Sequence, residues 1–240
     1  ERGACFLRLA SALRDEIESL SQTVTQEMGK PIRDARAEIE KSASACEFYA
    51  REAENMLRDE VVETDAQKSY VRYQPLGVIL GIMPWNFPVW QVIRYAAPIM
   101  MAGNTTVLKH ANNVTGCALK IEDLFRVAGF PDDAFRALVI DIPAVEPVIQ
   151  HPLIAAVTLT GSPRAGRAVA STAGAVLKKC VLELGGSDPF VILEDADFDA
   201  AIEAGVTSRL IVSGQVCISP KRFIVPASLQ SRFEEALVAR

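Results

Sequence analysis

Gly77-Val78-Ile79-Leu80-Gly81-Ile82 is a short apolar run rich in β-branched residues, followed at once by Pro84-Trp85-Asn86-Phe87-Pro88. A run of that length, closed by turn residues, reads as a strand that ends abruptly. The same style repeats downstream. Helical spacing predicts a helix over 90–102, and Thr105-Thr106-Val107-Leu108-Lys109 reads as the next strand. A helix over 115–128, a strand over 137–140, a short helix over 145–150, a strand over 155–159, a helix over 164–173 and a strand over 179–183 complete the series. Strands alternating with helices predict an α/β fold built on a mainly parallel, doubly wound sheet. In such sheets ligands bind beyond the carboxyl ends of the strands, which directs attention to the residues there.

Upstream the pattern is helical. Phe6, Leu9, Leu13, Ile17, Leu20 and Val24 predict one helix over 4–28, ended by Gly29. Pro31 suits the start of a second, whose stripe runs through Ile32, Ala35, Ile39, Ala43 and Cys46 to about residue 58. Residues 61–63 and 69–73, joined by Thr64-Asp65-Ala66-Gln67, predict a β-hairpin.

Composition narrows the function classes. The chain of 240 residues is 50% hydrophobic and 23% charged, with a net charge of −5, so neither disorder nor nucleic-acid binding is expected. Residues 76–101 are the most apolar stretch, but Gly81, Pro84, Asn86, Pro88, Gln91 and Arg94 interrupt it, so no membrane span is expected. Five cysteines without paired spacing suggest neither a disulfide framework nor a zinc site, and no bound metal is expected. The first residues lead into an amphipathic segment, not a signal peptide, and a soluble cytoplasmic protein is the default. The chain opens on Glu1 and closes in a run, 229–240, that reads as the middle of a helix. It is therefore expected to be a piece of something longer.

The strand ends supply the chemistry. Two prolines around Trp85-Asn86-Phe87 would fix a side-chain amide, or simply make a rigid turn. Lys109 places a cation at the second strand end. Gly161-Ser162 before a helix offers a phosphate cradle or an ordinary helix cap. Glu183, one carboxylate in the apolar run Leu182-Glu183-Leu184-Gly185-Gly186, would be desolvated and able to act as a general base, or is simply a charge at the edge of a strand. Cys217 follows a glycine loop in Gly214-Gln215-Val216-Cys217, although a free cysteine is more often an inert core residue.

In this order, Pro-Trp-Asn-Phe-Pro, Lys109, Gly161-Ser162, Leu-Glu-Leu-Gly-Gly and Gly-Gln-Val-Cys resemble the aldehyde dehydrogenase superfamily, and Glu27-Met28-Gly29-Lys30-Pro31-Ile32 resembles a further segment common there. Within it, Leu-Lys-His-Ala and Glu-Leu-Gly-Gly-Ser-Asp-Pro-Phe are most similar to the succinate-semialdehyde dehydrogenases. The resemblance covers essentially the whole chain. It implies a Rossmann-like NAD(P)-binding domain over 1–186, with leading helices and a hairpin at about 61–73 that packs between subunits, and the first part of a second α/β catalytic domain over 187–240. It also implies Cys217 as nucleophile, Asn86 with the Cys217 backbone N–H as oxyanion donors, and Glu183 as the base that activates water. Glu183 and Cys217 are 34 residues apart and would have to converge through the fold. Cofactor contacts carry over to Lys109, Asn112, Gly161, Ser162, Trp85 and Leu184, and a homo-oligomer is expected of the longer parent.

The sequence departs from the common pattern at two positions. NAD-preferring relatives often have Pro where His110 stands and Glu where Asn112 stands. With neutral Asn112 nothing repels a 2′-phosphate, so NADP is expected to be favoured over NAD. Arg94, eight residues beyond Asn86 in an apolar segment, needs an anionic partner. A substrate carboxylate would supply it, and so would a protein carboxylate. Three other readings stay open: a dehydrogenase for a different aldehyde, a Cys–His hydrolase using His110 or His151, and an inert cofactor-domain piece. The last follows from the Glu-x-Phe-Gly-Pro stretch of the family, which this chain does not contain.

Overall fold

The computed structural model describes all residues, 1–240, and divides into two compact units, Glu1–Glu183 and Leu184–Arg240. The division falls three residues before the expected boundary at 186.

The first unit opens with three helices, α1 (Arg2–Asp15), α2 (Ile17–Met28) and α3 (Ile32–Met56). The single helix expected over 4–28 is thus two. The break lies at Glu16, whose backbone sits at φ −97°, ψ 13°, and neither Gly nor Pro marks it in the sequence. Gly29 ends α2 in the left-handed conformation, φ 78°, where a side chain would be strained. The hairpin is present but short, with β1 (Glu60–Val61) antiparallel to β2 (Tyr70–Val71).

The chain then alternates through β3 (Val78–Met83), α4 (Trp90–Met101), β4 (Thr105–His110), α5 (Thr115–Val127), β5 (Phe135–Ala137), α6 (Val145–Gln150), β6 (Ile154–Gly161), α7 (Pro163–Ala175) and β7 (Lys179–Leu184). The sheet order is β5-β4-β3-β6-β7, and the β3–β4, β3–β6 and β4–β5 pairs are parallel. The order reverses between β3 and β6. At such a switch point the two following connections leave in opposite directions and open a crevice. The third strand lies earlier than its expected place over 137–140. Val139 is 66% exposed, whereas buried Phe135 stacks on Phe125 with ring centroids 4.2 Å apart, so the aromatic pair sets the strand.

Two cores sandwich the sheet. One packs α1–α5 together through Phe6, Leu13, Ile39, Ile93 and Phe125, and the other packs α6 and α7 on Leu80, Val157 and Leu159. In the second unit, β8 (Asp188–Val191), α8 (Phe198–Leu210) and β9 (Pro220–Ile224) form a parallel crossover, followed by α9 (Gln230–Val238). Ile192, Ile202 and Phe233 are its core. No helix is long and apolar enough to cross a membrane.

Gly81 fixes how closely α4 lies on the central strand. A Cβ there would stand 2.2 Å from Cζ of Tyr95, and the Tyr95 hydroxyl lies 3.2 Å from the Thr106 hydroxyl beneath it. Gly81→Ala is expected to cost about 1–3 kcal/mol through overpacking, and Tyr95→Leu should recover part of that loss. Chemical unfolding of the single and double variants measures both.

Candidate functional site

The candidate residues of the first unit lie at or just beyond the strand ends. β3 stops at Met83, and the chain turns through Pro84–Pro88 before α4. Two prolines and a following helix leave that turn little freedom. Trp85 is 38% exposed at its tip and Asn86 is half-buried. Behind the turn stands His110, the last residue of β4. Its Nε2 lies 2.9 Å from the Pro88 carbonyl, which can only accept, so Nε2 donates there, while Nδ1 lies 3.0 Å from the Ala111 nitrogen and 3.2 Å from the Met83 carbonyl. Burial pushes the imidazole below its ordinary pKa and keeps it neutral.

Lys109 is buried. Its Nζ donates to the His110 carbonyl at 2.8 Å and to Asn112 Oδ1 at 2.6 Å. Burial lowers its pKa, against the opposing pull of Asp141. Asp141 is a residue that sequence reasoning missed. It receives a hydrogen bond from Asn112 Nδ2 at 3.4 Å and stands just past the third strand's apolar run, where the strand-end rule applied elsewhere would have found it. Lys109 lies on a mainly apolar cleft of about 460 Å³ at the ends of β3, β4 and β6, walled by Ile142, Val145, Ala165 and Val169. A flat apolar slot edged by a lysine and an amide fits the adenosine half of a nicotinamide dinucleotide.

β6 runs through Gly161 into α7. Ser162 Oγ accepts the Ala165 N–H at 3.2 Å, so its hydroxyl serves as the helix cap. Pro163 has no N–H, and the Ala165 and Gly166 N–H groups go to the Ser162 side chain and carbonyl, so the phosphate-cradle expectation falls back on the Arg164 N–H of this helix start.

Glu183 corrects another expectation. Its side chain is 52% exposed because β7 is the edge strand of the sheet, so the apolar run does not desolvate it. The same sequence run would be buried in a central strand. Its Oε2 lies 3.2 Å from Arg94, whose guanidinium also reaches Gln91 Oε1 at 3.4 Å. Arg94 and Glu183 share a cleft of about 350 Å³ with Gln91 and Lys179. Arg94 thus has a protein carboxylate as its partner. Neighbouring Leu184 is 38% exposed.

In the second unit Cys217 is half-buried, next to buried Val216. Its carbonyl accepts from Lys221 Nζ at 2.6 Å. Just before it, Val212, Ser213 and Gly214 all have positive φ, near 54°, 55° and 74°. Left-handed backbone at a β-branched valine costs about 1–2 kcal/mol, and such strain tends to sit at functional loops.

The profile of the aldehyde dehydrogenase family matches residues 1–240 in full. The chain belongs to the aldehyde dehydrogenase family. It is 51% identical over 237 residues to a probable succinate-semialdehyde dehydrogenase [NADP(+)] of Synechocystis, covering 99% of this chain and 52% of that protein. It is also 51% identical over 231 residues to the succinate semialdehyde dehydrogenase [NAD(P)+] Sad of Escherichia coli K12, covering 96% of this chain and 50% of that one. A solved succinic semialdehyde dehydrogenase of Streptococcus pyogenes, in complex with NADP+, superposes with a TM-score of 0.97 at 40% identity. The match covers 100% of this chain and 52% of that one. The chain spans about half the length of the curated relatives it matches.

This aldehyde dehydrogenase chain buries a neutral histidine where folding meets the site, and that has a measurable consequence. Burial is the largest influence on His110 and outweighs the opposing pull of the Pro88 and Met83 carbonyls and of Glu27, while the Lys109 charge acts in the same direction as burial. The unfolded chain takes up a proton near the ordinary histidine pKa of about 6.5, while the folded ring resists until lower pH. Its contribution to stability is therefore complete above about pH 6.5 and declines as pH falls, by at most about 1.4 kcal/mol per pH unit. His110→Gln should flatten the decline between about pH 7 and 5, read as the difference between the two proteins' unfolding free energies.

Proposed function

We propose that the natural-length protein oxidises an aldehyde bearing a carboxylate, succinate semialdehyde, to the acid, with NADP preferred over NAD. The observation that carries this reading is the identity of 48–51% over nearly the whole chain to relatives named for that substrate and those cofactors. Neutral Asn112 beside Lys109, at the edge of the apolar cleft, supports NADP. A substrate carboxylate at Arg94 would have to take the place of Glu183, the half-exposed partner with which it lines a cleft. Bound nicotinamide dinucleotide would supply the hydride acceptor.

In this reading the Cys217 thiolate attacks the aldehyde carbon and forms a tetrahedral thiohemiacetal. The Asn86 amide and the Cys217 backbone N–H donate to its oxyanion, each donor worth about 3–4 kcal/mol. Once hydride has left the carbon, a thioester remains on Cys217 Sγ. Glu183 takes a proton from water, the hydroxide attacks the thioester carbonyl, and the thiolate leaves with the acid released. Lys109, Asn112, Gly161, Ser162, Trp85 and Leu184 hold the cofactor. The first unit would be the cofactor domain, with the hairpin packing between copies of a homo-oligomer, and the second the beginning of the catalytic domain. The cytoplasm is the proposed compartment.

Three measurements test the reading. Reduction of NADP by succinate semialdehyde should be abolished in Cys217→Ala and slowed about 10²–10³-fold in kcat by Asn86→Ala. A higher kcat/KM with NAD than with NADP would sink the cofactor preference. Arg94→Leu should raise KM for succinate semialdehyde about tenfold or more while changing KM for a neutral aldehyde of equal length far less. Equal shifts for the two aldehydes would remove Arg94 from the substrate site.

A further inference from the structure

The Pro84–Pro88 turn is gripped at its base from three sides. His110 Nε2 donates to the Pro88 carbonyl, and the Met83 carbonyl on the other side of the turn accepts the Ala111 N–H at 3.0 Å, directly beside the imidazole. Glu38 Oε1 accepts from the Val89 and Trp90 N–H groups at 2.8 and 2.9 Å, which caps the start of α4. Glu38 Oε2 is ion-paired to Lys30, and both side chains are fully buried. The Lys30 ammonium in turn lies 3.9 Å from the centroid of the Phe87 ring. The contacts fall on residues 83, 87, 88, 89 and 90, on both sides of Asn86.

A buried ion pair of this kind is poorly explained by stability alone. Hydrophobic residues of the same volume often serve as well or better, so a retained pair fits a positional role. The two backbone N–H groups that Glu38 accepts, those of Val89 and Trp90, directly follow the turn that carries Asn86.

We propose that His110 and the buried Lys30–Glu38 pair are positioning residues that fix the Pro84–Pro88 turn and thereby aim the Asn86 amide. The proposal rests on the reading of Asn86 as an oxyanion donor. These residues touch neither substrate nor cofactor. They act through the backbone of the turn, and a displacement of about 1 Å at a reacting group is enough to cost on the order of 10²-fold in rate.

The experiment is a double-mutant cycle in the natural-length protein. His110→Leu should lower kcat about 10- to 100-fold with KM changed less than about threefold. In His110→Leu/Asn86→Ala, kcat should fall no further than in Asn86→Ala alone, because a misplaced amide has nothing left to lose. His110→Gln, whose side-chain N–H can replace the imidazole Nε2–H, should restore most of kcat. Lys30→Met/Glu38→Leu, measured well below its own unfolding midpoint, guards against simple unfolding. It leaves the Val89 and Trp90 N–H groups without their acceptor, so the midpoint should fall, and kcat of the still-folded protein should fall as well. In every slowed variant the emission of Trp85, isolated by difference against its Trp85→Phe counterpart, should shift to the red as the turn loosens.

Additive losses in the cycle, or full kcat in Lys30→Met/Glu38→Leu with unchanged Trp85 emission, would overturn the proposal and leave the Asn86 reading standing. Full kcat in Asn86→Ala would remove that reading, and the proposal with it.

Discussion

A carboxylate enters a protein core only if its oxygens are hydrogen-bonded and its charge is met, and Glu38 satisfies both conditions at once. One oxygen takes two backbone N–H groups at the start of α4, and the other takes the Lys30 ammonium. Burial pushes the Glu38 pKa up and pulls that of Lys30 down, each opposed by the partner's charge. Glu27 repeats the device one helix along. Its two oxygens accept from Gly116 and Cys117 N–H at 2.6 and 2.9 Å and cap α5. The leading helices therefore do more than cover one face of the sheet. Carboxylates from α2 and α3 fill the N-terminal ends of the two sheet helices that lie against them, so the helical layer and the strand-end loops share one polar frame.

That frame accounts for a contrast within the first unit. Near the leading helices the strand-end groups are buried and tied down, as Lys109 and His110 are. On the far side of β6, where the sheet thins to its edge, Ser162 caps its own helix in the open and Glu183 meets Arg94 at a half-exposed surface. An ion pair so exposed contributes at most about 1 kcal/mol, which leaves its two members free to exchange partners.

Much of this was legible in the sequence. Alternating apolar runs specify a parallel sheet because each run is too short for a buried helix and each gap too long for a hairpin. Prolines and glycines then mark where the strands stop. The chemistry-bearing residues followed from looking only at those stops. Burial was not legible. Whether Glu183 is dry depends on which strand of the sheet carries it, and strand order is a long-range property that local pattern does not encode. The third strand was misplaced because Leu138-Val139-Ile140 is more apolar than Phe135-Arg136-Ala137, although stacking of Phe125 on Phe135 decides the pairing. The roles of Glu38 and His110 were hidden for a similar reason. A glutamate within a helical stripe reads as a surface charge until the backbone N–H groups it meets, about fifty residues later in the chain, are seen.

The edge position of β7 has one more consequence. An edge strand offers a row of unpaired N–H and C=O groups on which another extended chain can grow, and Val181 beside it is 60% exposed. Lys179 and Glu183 stand at the two ends of that row as charged gatekeepers. Glu183 thus guards the colloidal behaviour of the protein, whatever it does to water. An apolar residue in its place would make Cys180 to Leu184 an uninterrupted apolar ribbon, so loss of solubility is to be separated from loss of turnover in such a variant.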